Sequence, residues 1–434
     1  MGSILNFVFD TDKPLSLEER YYNGIGNRIF QSSAITGFIY QMVLEKGEYS
    51  YTLNSKIDDS KKNIIVYECQ SELNDIIKNK ETNEIDYENN QLIKLSQKYP
   101  LSDNVKLLIS CISEPTSYID EFEDNLLKVC KLHNININNI IFIDSNFKIS
   151  FLKNIKWKYV PHFIFDGGAS FSEILESNND YLNDLNYISS ISTLGEARTT
   201  LNRKYTFISL NRSNWKVHRT LIGCLFTQLK SDKILWSFIN KPSEYHKNSD
   251  DNLMEGHHEA TEYIRKLFYD NIDDVESMRE IDTTGSDNKF GFRTSDTFNK
   301  NISLSAYFDI VTESSFQYDA IFFTEKIIKP IVNLHPFIVV SNNGYLKYFR
   351  EYLGFKTFDC IFDESYDDIE DPYQRIQFIF KQIVNILEKP QNELNEMYKK
   401  AFDVCKYNRN RLLEVYSNKN EHILNIFKEI ENEW

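Results

Sequence analysis

The sequence predicts an α/β protein with mainly parallel strands, built as two doubly wound domains with a helical C-terminal tail. Three observations carry this expectation. Short apolar, β-rich runs alternate with longer amphipathic segments, the pattern of parallel strands joined by helical crossovers. The alternation lapses in the polar stretch at residues 191–204 and then resumes. At 434 residues and 51.3 kDa, the chain is longer than one ordinary core fills.

The elements follow in order. In the first domain, residues 1–190, strands are expected at Ile4–Phe9, Asn63–Cys69, Val105–Cys111, Asn139–Asp144 and His162–Phe165. Helical spacing of apolar residues marks Asn27–Glu45, Gln91–Lys98, Tyr118–Leu132 and Ser170–Leu185 between them. Residues 191–204 read as a linker. In the second domain, residues 205–390, the series is strand Tyr205–Leu210, helix Lys216–Leu229 and strand Lys233–Phe238. An acidic, irregular stretch then holds one or two short helices, one being His258–Tyr269. Strand Ser303–Thr312, helix Thr324–Leu334, strand Phe337–Ser341 and helix Tyr345–Leu353 complete it. The tail from about Pro372 to Trp434 reads as two or three helices, with Pro390 as a break and residues 391–434 as the C-terminal helices.

Composition narrows the function classes. The 31 Phe and 26 Tyr argue against wholesale disorder. A net charge of −15 disfavours a protein whose business is gripping nucleic acid. The six cysteines are scattered with no CxxC pair, the reading for which is buried reduced thiols in a cytoplasmic protein. No apolar run approaches the ~20 residues of a membrane span, and the start lacks the features of a signal peptide. The richness in Asn, Ile, Lys and Tyr reads as coding bias of an AT-rich genome, viral sources included.

Two stretches carry candidate chemistry. In YTFISLNRSNWKVHRTLIGCLF a strand ends, a short polar turn follows and a helix begins near Lys216. Such a turn faces the ligand crevice of a doubly wound sheet, and a helix N-terminus offers free N–H groups to an anion. Arg212, Lys216 and Arg219 stand there against the helix dipole, which a bound diphosphate would explain; a solvated basic helix start is the plainer alternative. In YFDIVTESSFQYDAIFFTEKIIKPIVNLHPFIVVSNNGYLKYF a strand delivers Glu313 to its C-terminal end. A helix is then expected to open with Thr324, Glu325 and Lys326, with Thr324 as its cap.

The order strand, TES, loop, FTEK, helix, HPFIVVSNNGYL resembles the donor-binding half of the α1,3-fucosyltransferase-like glycosyltransferases. The resemblance covers Tyr205–Arg212 and Ser303–Ile376, and this chain has Thr-Glu-Ser-Ser where that family has Glu-Asn-Ser. It implies the GT-B fold, two Rossmann-like domains facing across a cleft. It also implies a GDP- or UDP-sugar donor with no metal. Glu325 would then hydrogen-bond the donor's ribose or sugar, Lys326 and Arg212 would neutralise its diphosphate, and Glu313 would sit nearby. The partner is a glycan or other hydroxyl acceptor. An inverting transfer needs a base from the N-terminal domain. Glu114, just after VKLLISC, is the first candidate, Asp166 the rival and Asp144 the third, each with a plain loop carboxylate as its alternative.

Weaker signals are Asp10-Thr11-Asp12, which has the form of a metal-diphosphate site, His257-His258-Glu259, and the Gly24/Gly26 turn. Each is more simply a loop or a helix entry. The other readings kept open are a retaining transferase, a viral-type transferase acting on nucleic-acid bases, and an inactive sugar-nucleotide or glycan-binding protein.

Overall fold

In the computed structural model, the described residues are 5–9, 50–53, 57–69, 73–79, 81–111, 116, 118–161, 203–211, 216–238, 259–276, 305–316 and 320–432. The expected strand His162–Phe165 and helices Asn27–Glu45 and Ser170–Leu185 lie outside them, as does most of the acidic stretch. Every strand pairing among the described residues is parallel.

The chain divides into two compact units. The first contains Met1–Asp166, Tyr318–Phe323 and Ser417–Trp434; the second contains Gly167–Gln317 and Thr324–Tyr416. The first unit's sheet is built from β1 (Leu5–Phe9), β2 (Ser50–Leu53), β3 (Lys62–Glu68), β4 (Val105–Cys111), β5 (Ile140–Asp144) and β6 (Lys156–Tyr159) in the order β2-β1-β3-β4-β5-β6. All seven residues of β4 are buried, as expected of a parallel strand covered on both faces. Helix α1 (Gln91–Lys98) is capped by Asn90, which accepts from the Ile93 amide. Helix α2 (Ile119–Leu132) buries Ile119, Phe122, Leu126, Val129 and Cys130, one stripe at helical spacing.

The second unit's sheet holds β7 (Tyr205–Asn211), β8 (Ile234–Phe238), β9 (Ala306–Thr312) and β10 (Phe337–Val340) in the order β10-β9-β7-β8. Its helices are α3 (Val217–Leu229), α4 (Glu262–Glu276), α5 (Ile328–Val332), α6 (Tyr345–Glu351), α7 (Pro372–Leu387) and α8 (Gln391–Ser417). Pro390 does separate two helices, α7 and α8, and its carbonyl accepts from Glu393 and Leu394. The strand order turns back between β7 and β9, because β8 lies on one side of β7 and the later strands lie on the other. Ligands of such sheets bind beyond the carboxyl ends of the strands at this switch point.

Several expectations are corrected. The helix expected over Thr324–Leu334 runs only from Ile328 to Val332. Pro330 explains the late start: its ring collides with the carbonyl four residues back, so it tolerates only the first turn. Leu334, with φ of 56°, ends the helix in the left-handed region. The helix expected at His258–Tyr269 is α4, which begins beyond Thr261, whose hydroxyl accepts from the Ile264 amide, and continues to Glu276. The short strands β2 and β6 were not anticipated. The tail at 391–434 is also not one body: α8 belongs to the second unit, whereas α9 (Lys419–Asn432) belongs to the first.

Helix α9 is held by its apolar stripe, Ile423, Leu424, Ile426, Phe427 and Ile430, all buried. The Phe427 ring meets Phe7 of β1 edge-on at 5.3 Å, and Lys158 of β6 pairs with Glu429 at 2.8 Å. In the same unit, Ile321 donates its amide to Asn146 and accepts from the Phe147 amide, fixing that short segment beside the end of β5. None of the six cysteines is in a disulfide, and all but Cys360 are buried; desolvation pushes the Cys130 and Cys224 thiols up to about 12. No helix among the described residues is long and apolar enough to cross a membrane.

Candidate functional site

The carboxyl ends of β7 and β9 are joined by side chains. The Thr312 hydroxyl, at the end of β9, donates to the Asn211 side-chain oxygen at the end of β7, and both residues are buried. Glu313 follows directly and is wholly buried. Its Oε2 accepts from the Thr324 hydroxyl at 2.5 Å. Its Oε1 accepts from the Tyr345 hydroxyl at 2.7 Å and the Thr324 amide at 3.3 Å. Glu313 is therefore a knot that ties β9 to the segment before α5 and to the start of α6, and its own carboxylate is turned inward. Thr324 is accordingly not the cap of α5. Its hydroxyl serves Glu313 and also accepts from the Lys326 amide at 3.3 Å.

The start of α6 is itself fixed from downstream. Asp367 accepts from the amides of Leu346 and Lys347, each at 2.9 Å, and its carbonyl accepts from Gly344 at 2.7 Å. Gly344 has φ of 75°, a conformation that other residues adopt at a cost. This cap holds Tyr345 at the point from which it reaches Glu313.

Cations converge on the residue after Glu313. Lys216, the N-cap of α3, donates Nζ to the Ser314 carbonyl at 2.6 Å. Lys326 donates Nζ to the Ser314 hydroxyl at 3.3 Å, to the Thr324 hydroxyl at 3.3 Å and to Glu325 Oε1 at 2.7 Å. Lys216 and Lys326 are half-buried, whereas Arg219 is buried and donates Nη2 to the Glu313 carbonyl at 3.4 Å. The N-cap of α3, Lys216, makes no side-chain cap bond, and the Arg219 amide donates to the Lys216 carbonyl at 2.9 Å. The plainer reading of a solvated basic helix start does not hold for Arg219.

His218 lies inside this cluster. It is buried and stacks on Phe316 with ring centroids 4.9 Å apart. Its Nε2 is 2.8 Å from the Glu313 carbonyl, which can only accept, so Nε2 carries the proton. Burial holds its pKa well below the ordinary 6.5, and Arg219, Lys216 and Lys326 push the same way. Below pH ~6.5 the unfolded chain takes up a proton that the folded one refuses, so stability falls with acid by up to about 1.4 kcal/mol per pH unit. His218→Gln keeps an N–H donor and removes the titration. Its unfolding free energy is expected to fall less steeply than the wild type's between pH 6.5 and 5.5. Equal slopes would show that His218 is not held neutral. The comparison is between variants because Glu364 and Asp367, raised by burial, act in the opposite sense at lower pH.

Of the expected donor-side residues, Lys216, Arg219, Glu313, Glu325 and Lys326 are brought together, and Arg212 lies outside the described residues. Glu114 and Asp166 also lie outside them, as do Asp10, Asp12, Gly24, Gly26, His257 and His258. Asp144, the third candidate base, is wholly buried, accepting from the Thr116 hydroxyl and the Asn146 amide at 2.5 Å each. That is the environment of a structural carboxylate. Among the described residues, no three His, Cys, Asp or Glu gather as a metal-binding group. Two grooves of about 340 and 370 Å³ flank α7, and neither is lined by Lys216, Arg219 or Lys326.

The sequence reading missed the roles of His218, Tyr345 and Arg375. His218 sits between two residues it did single out, and Tyr345 follows the Asn-Gly of SNNGYL, a turn signal that precedes a helix. No protein-family model matches the chain, and no curated protein matches it in sequence.

Proposed function

We propose that this chain is a glycosyltransferase of the GT-B type, moving a sugar from a nucleoside diphospho-sugar to an acceptor hydroxyl with inversion. The observation that carries the reading is the meeting of Lys216 and Lys326 on Ser314, beside Arg219 and the start of α3, at the switch point of a parallel sheet. Cations from two separate elements, in a place where crevices form, suit a diphosphate whose charge grows as it leaves. The resemblance of TES–FTEK–SNNGYL to the fucosyltransferase-like donor half supports the same ligand class.

In this reading the diphosphate lies against Lys216, Lys326 and Arg212, with Arg219 adding positive potential from below. Glu325, now paired with Lys326 at 2.7 Å, turns to the ribose or sugar when the diphosphate takes over that lysine. The acceptor oxygen attacks the anomeric carbon, the bond to the diphosphate oxygen breaks and its electrons stay on the diphosphate. The acceptor's proton passes to a carboxylate of the N-terminal unit, Glu114 or, failing it, Asp166.

The test is thermal shift against GDP, UDP, CDP and dTDP for the wild type, Lys326→Ala and Arg212→Ala. A nucleotide at ~100 times its dissociation constant stabilises the folded state by about 2.7 kcal/mol. One nucleotide should raise the melting temperature of the wild type and of neither variant. A chain that responds to none of the four is not a transferase of this kind.

A further inference from the structure

The loop from Ser314 to Phe316 carries the groups on which Lys216 and Lys326 rest, and it is itself held from the far side. Arg375, on α7, is buried and donates to four main-chain carbonyls. Its Nε reaches Ser341 at 2.9 Å, Nη2 reaches Phe316 at 2.9 Å, and Nη1 reaches Ile369 at 2.6 Å and Glu370 at 3.1 Å. The guanidinium also lies 5.3 Å from the Phe316 ring, and that ring stacks on His218 of α3. Two lighter links run in parallel: the Ser341 hydroxyl donates to the Ser315 carbonyl at 3.2 Å, and the Asn342 amide donates to the Ser315 hydroxyl at 2.8 Å. The loops after β9 and β10 are thus sewn together behind the cations.

A guanidinium is suited to this because its five N–H donors point in fixed directions, whereas a lysine brings one mobile ammonium. Burial lowers the Arg375 pKa to about 10, which leaves it charged at neutral pH. Its hydrogen bonds go to backbone carbonyls, and Asp367 and Asp371 add favourable charge.

We propose that Arg375 is a positioning residue for the anion site: by fixing Phe316 and Ser341 it sets where Ser314 stands, and through Ser314 it aims Lys216 and Lys326. Asn342 assists by holding Ser315. The inference rests on the reading of this site as a diphosphate site, and it adds a residue that touches no ligand.

The experiment titrates GDP, UDP, CDP and dTDP against wild type, Lys326→Ala, Arg375→Lys and Asn342→Ala, at low and high salt, well below each melting temperature. Arg375→Lys is expected to bind the accepted nucleotide at least tenfold more weakly, and Asn342→Ala severalfold more weakly. Both should show a flatter salt dependence, because a misaimed cation no longer contributes a screened attraction. A residue with a purely structural role would lower the melting temperature and leave affinity and salt dependence unchanged. If Lys326→Ala loses the nucleotide while Arg375→Lys and Asn342→Ala bind as the wild type does, the positioning role is overturned and the diphosphate site stands. If the wild type binds none of the four nucleotides, the site reading fails and the inference goes with it. Should Arg375→Lys not fold, Asn342→Ala decides the question alone.

Discussion

Glu313→Ala is expected to lower the unfolding free energy of the second unit by about 3–5 kcal/mol, among the largest effects of any single change in the chain. The carboxylate is wholly buried and accepts from the Tyr345 hydroxyl, the Thr324 hydroxyl and the Thr324 amide. Removing it leaves those donors in a place water does not reach, and each buried donor without a partner costs about 1–3 kcal/mol. Glu313→Gln separates the parts of the effect. It keeps one acceptor oxygen and offers an amide to hydroxyls that can rotate to accept, so its cost should be about 1–2 kcal/mol. Urea denaturation measures both. An alanine variant within 1 kcal/mol of the wild type would mean that the knot between β9, the Thr324 segment and α6 holds nothing together.

The second large effect is expected in the first unit. Phe427→Ala removes a ring that is wholly buried against Phe7, and Phe-to-Ala changes in cores cost about 3–5 kcal/mol. Glu429→Ala, two residues on, breaks the ion pair with Lys158. Glu429 is 60% exposed, and a pair of that kind is worth about 0–1 kcal/mol. The contrast between the two variants tests whether packing or charge fixes α9. A Glu429 variant as unstable as the Phe427 variant would reverse the assignment.

How far the sequence foretold this structure depended on what each signal measures. Strands such as VKLLISC are buried along their whole length, and a continuous apolar run states that directly. Helices α1 and α2 carry clear stripes, α3 is buried on all sides from Val217 to Phe226, and the bounds of all three fall within a residue of expectation. The helix at Thr324 was misjudged because a Ser or Thr before an apolar run looks like a cap whether or not the hydroxyl is wanted elsewhere. Here Glu313, eleven positions earlier, takes it. The convergence of Lys216 and Lys326 was legible from their positions relative to strand ends. The inward turn of Glu313 was not, because its partner Tyr345 lies 32 positions away. Arg375 was invisible for a similar reason: its partners are backbone carbonyls, which every residue has. The short edge strands β2 and β6 have no apolar run to announce them, and pairing with β1 and β5 makes them strands.

The return of α9 to the first unit also bears on how the protein is made. Phe7 and Phe427 pack together, yet at a synthesis rate of about 5–20 residues per second they leave the ribosome about 20–80 s apart. During that interval β1 has no Phe427 to cover it, while nearly all of the second unit has already been translated. The usual order, N-terminal body first, is therefore inverted: the later-encoded unit can finish before the earlier one. The nascent first unit keeps an apolar face open for tens of seconds, long enough for a chaperone to find it, and its final closure waits on the helix at Lys419–Asn432.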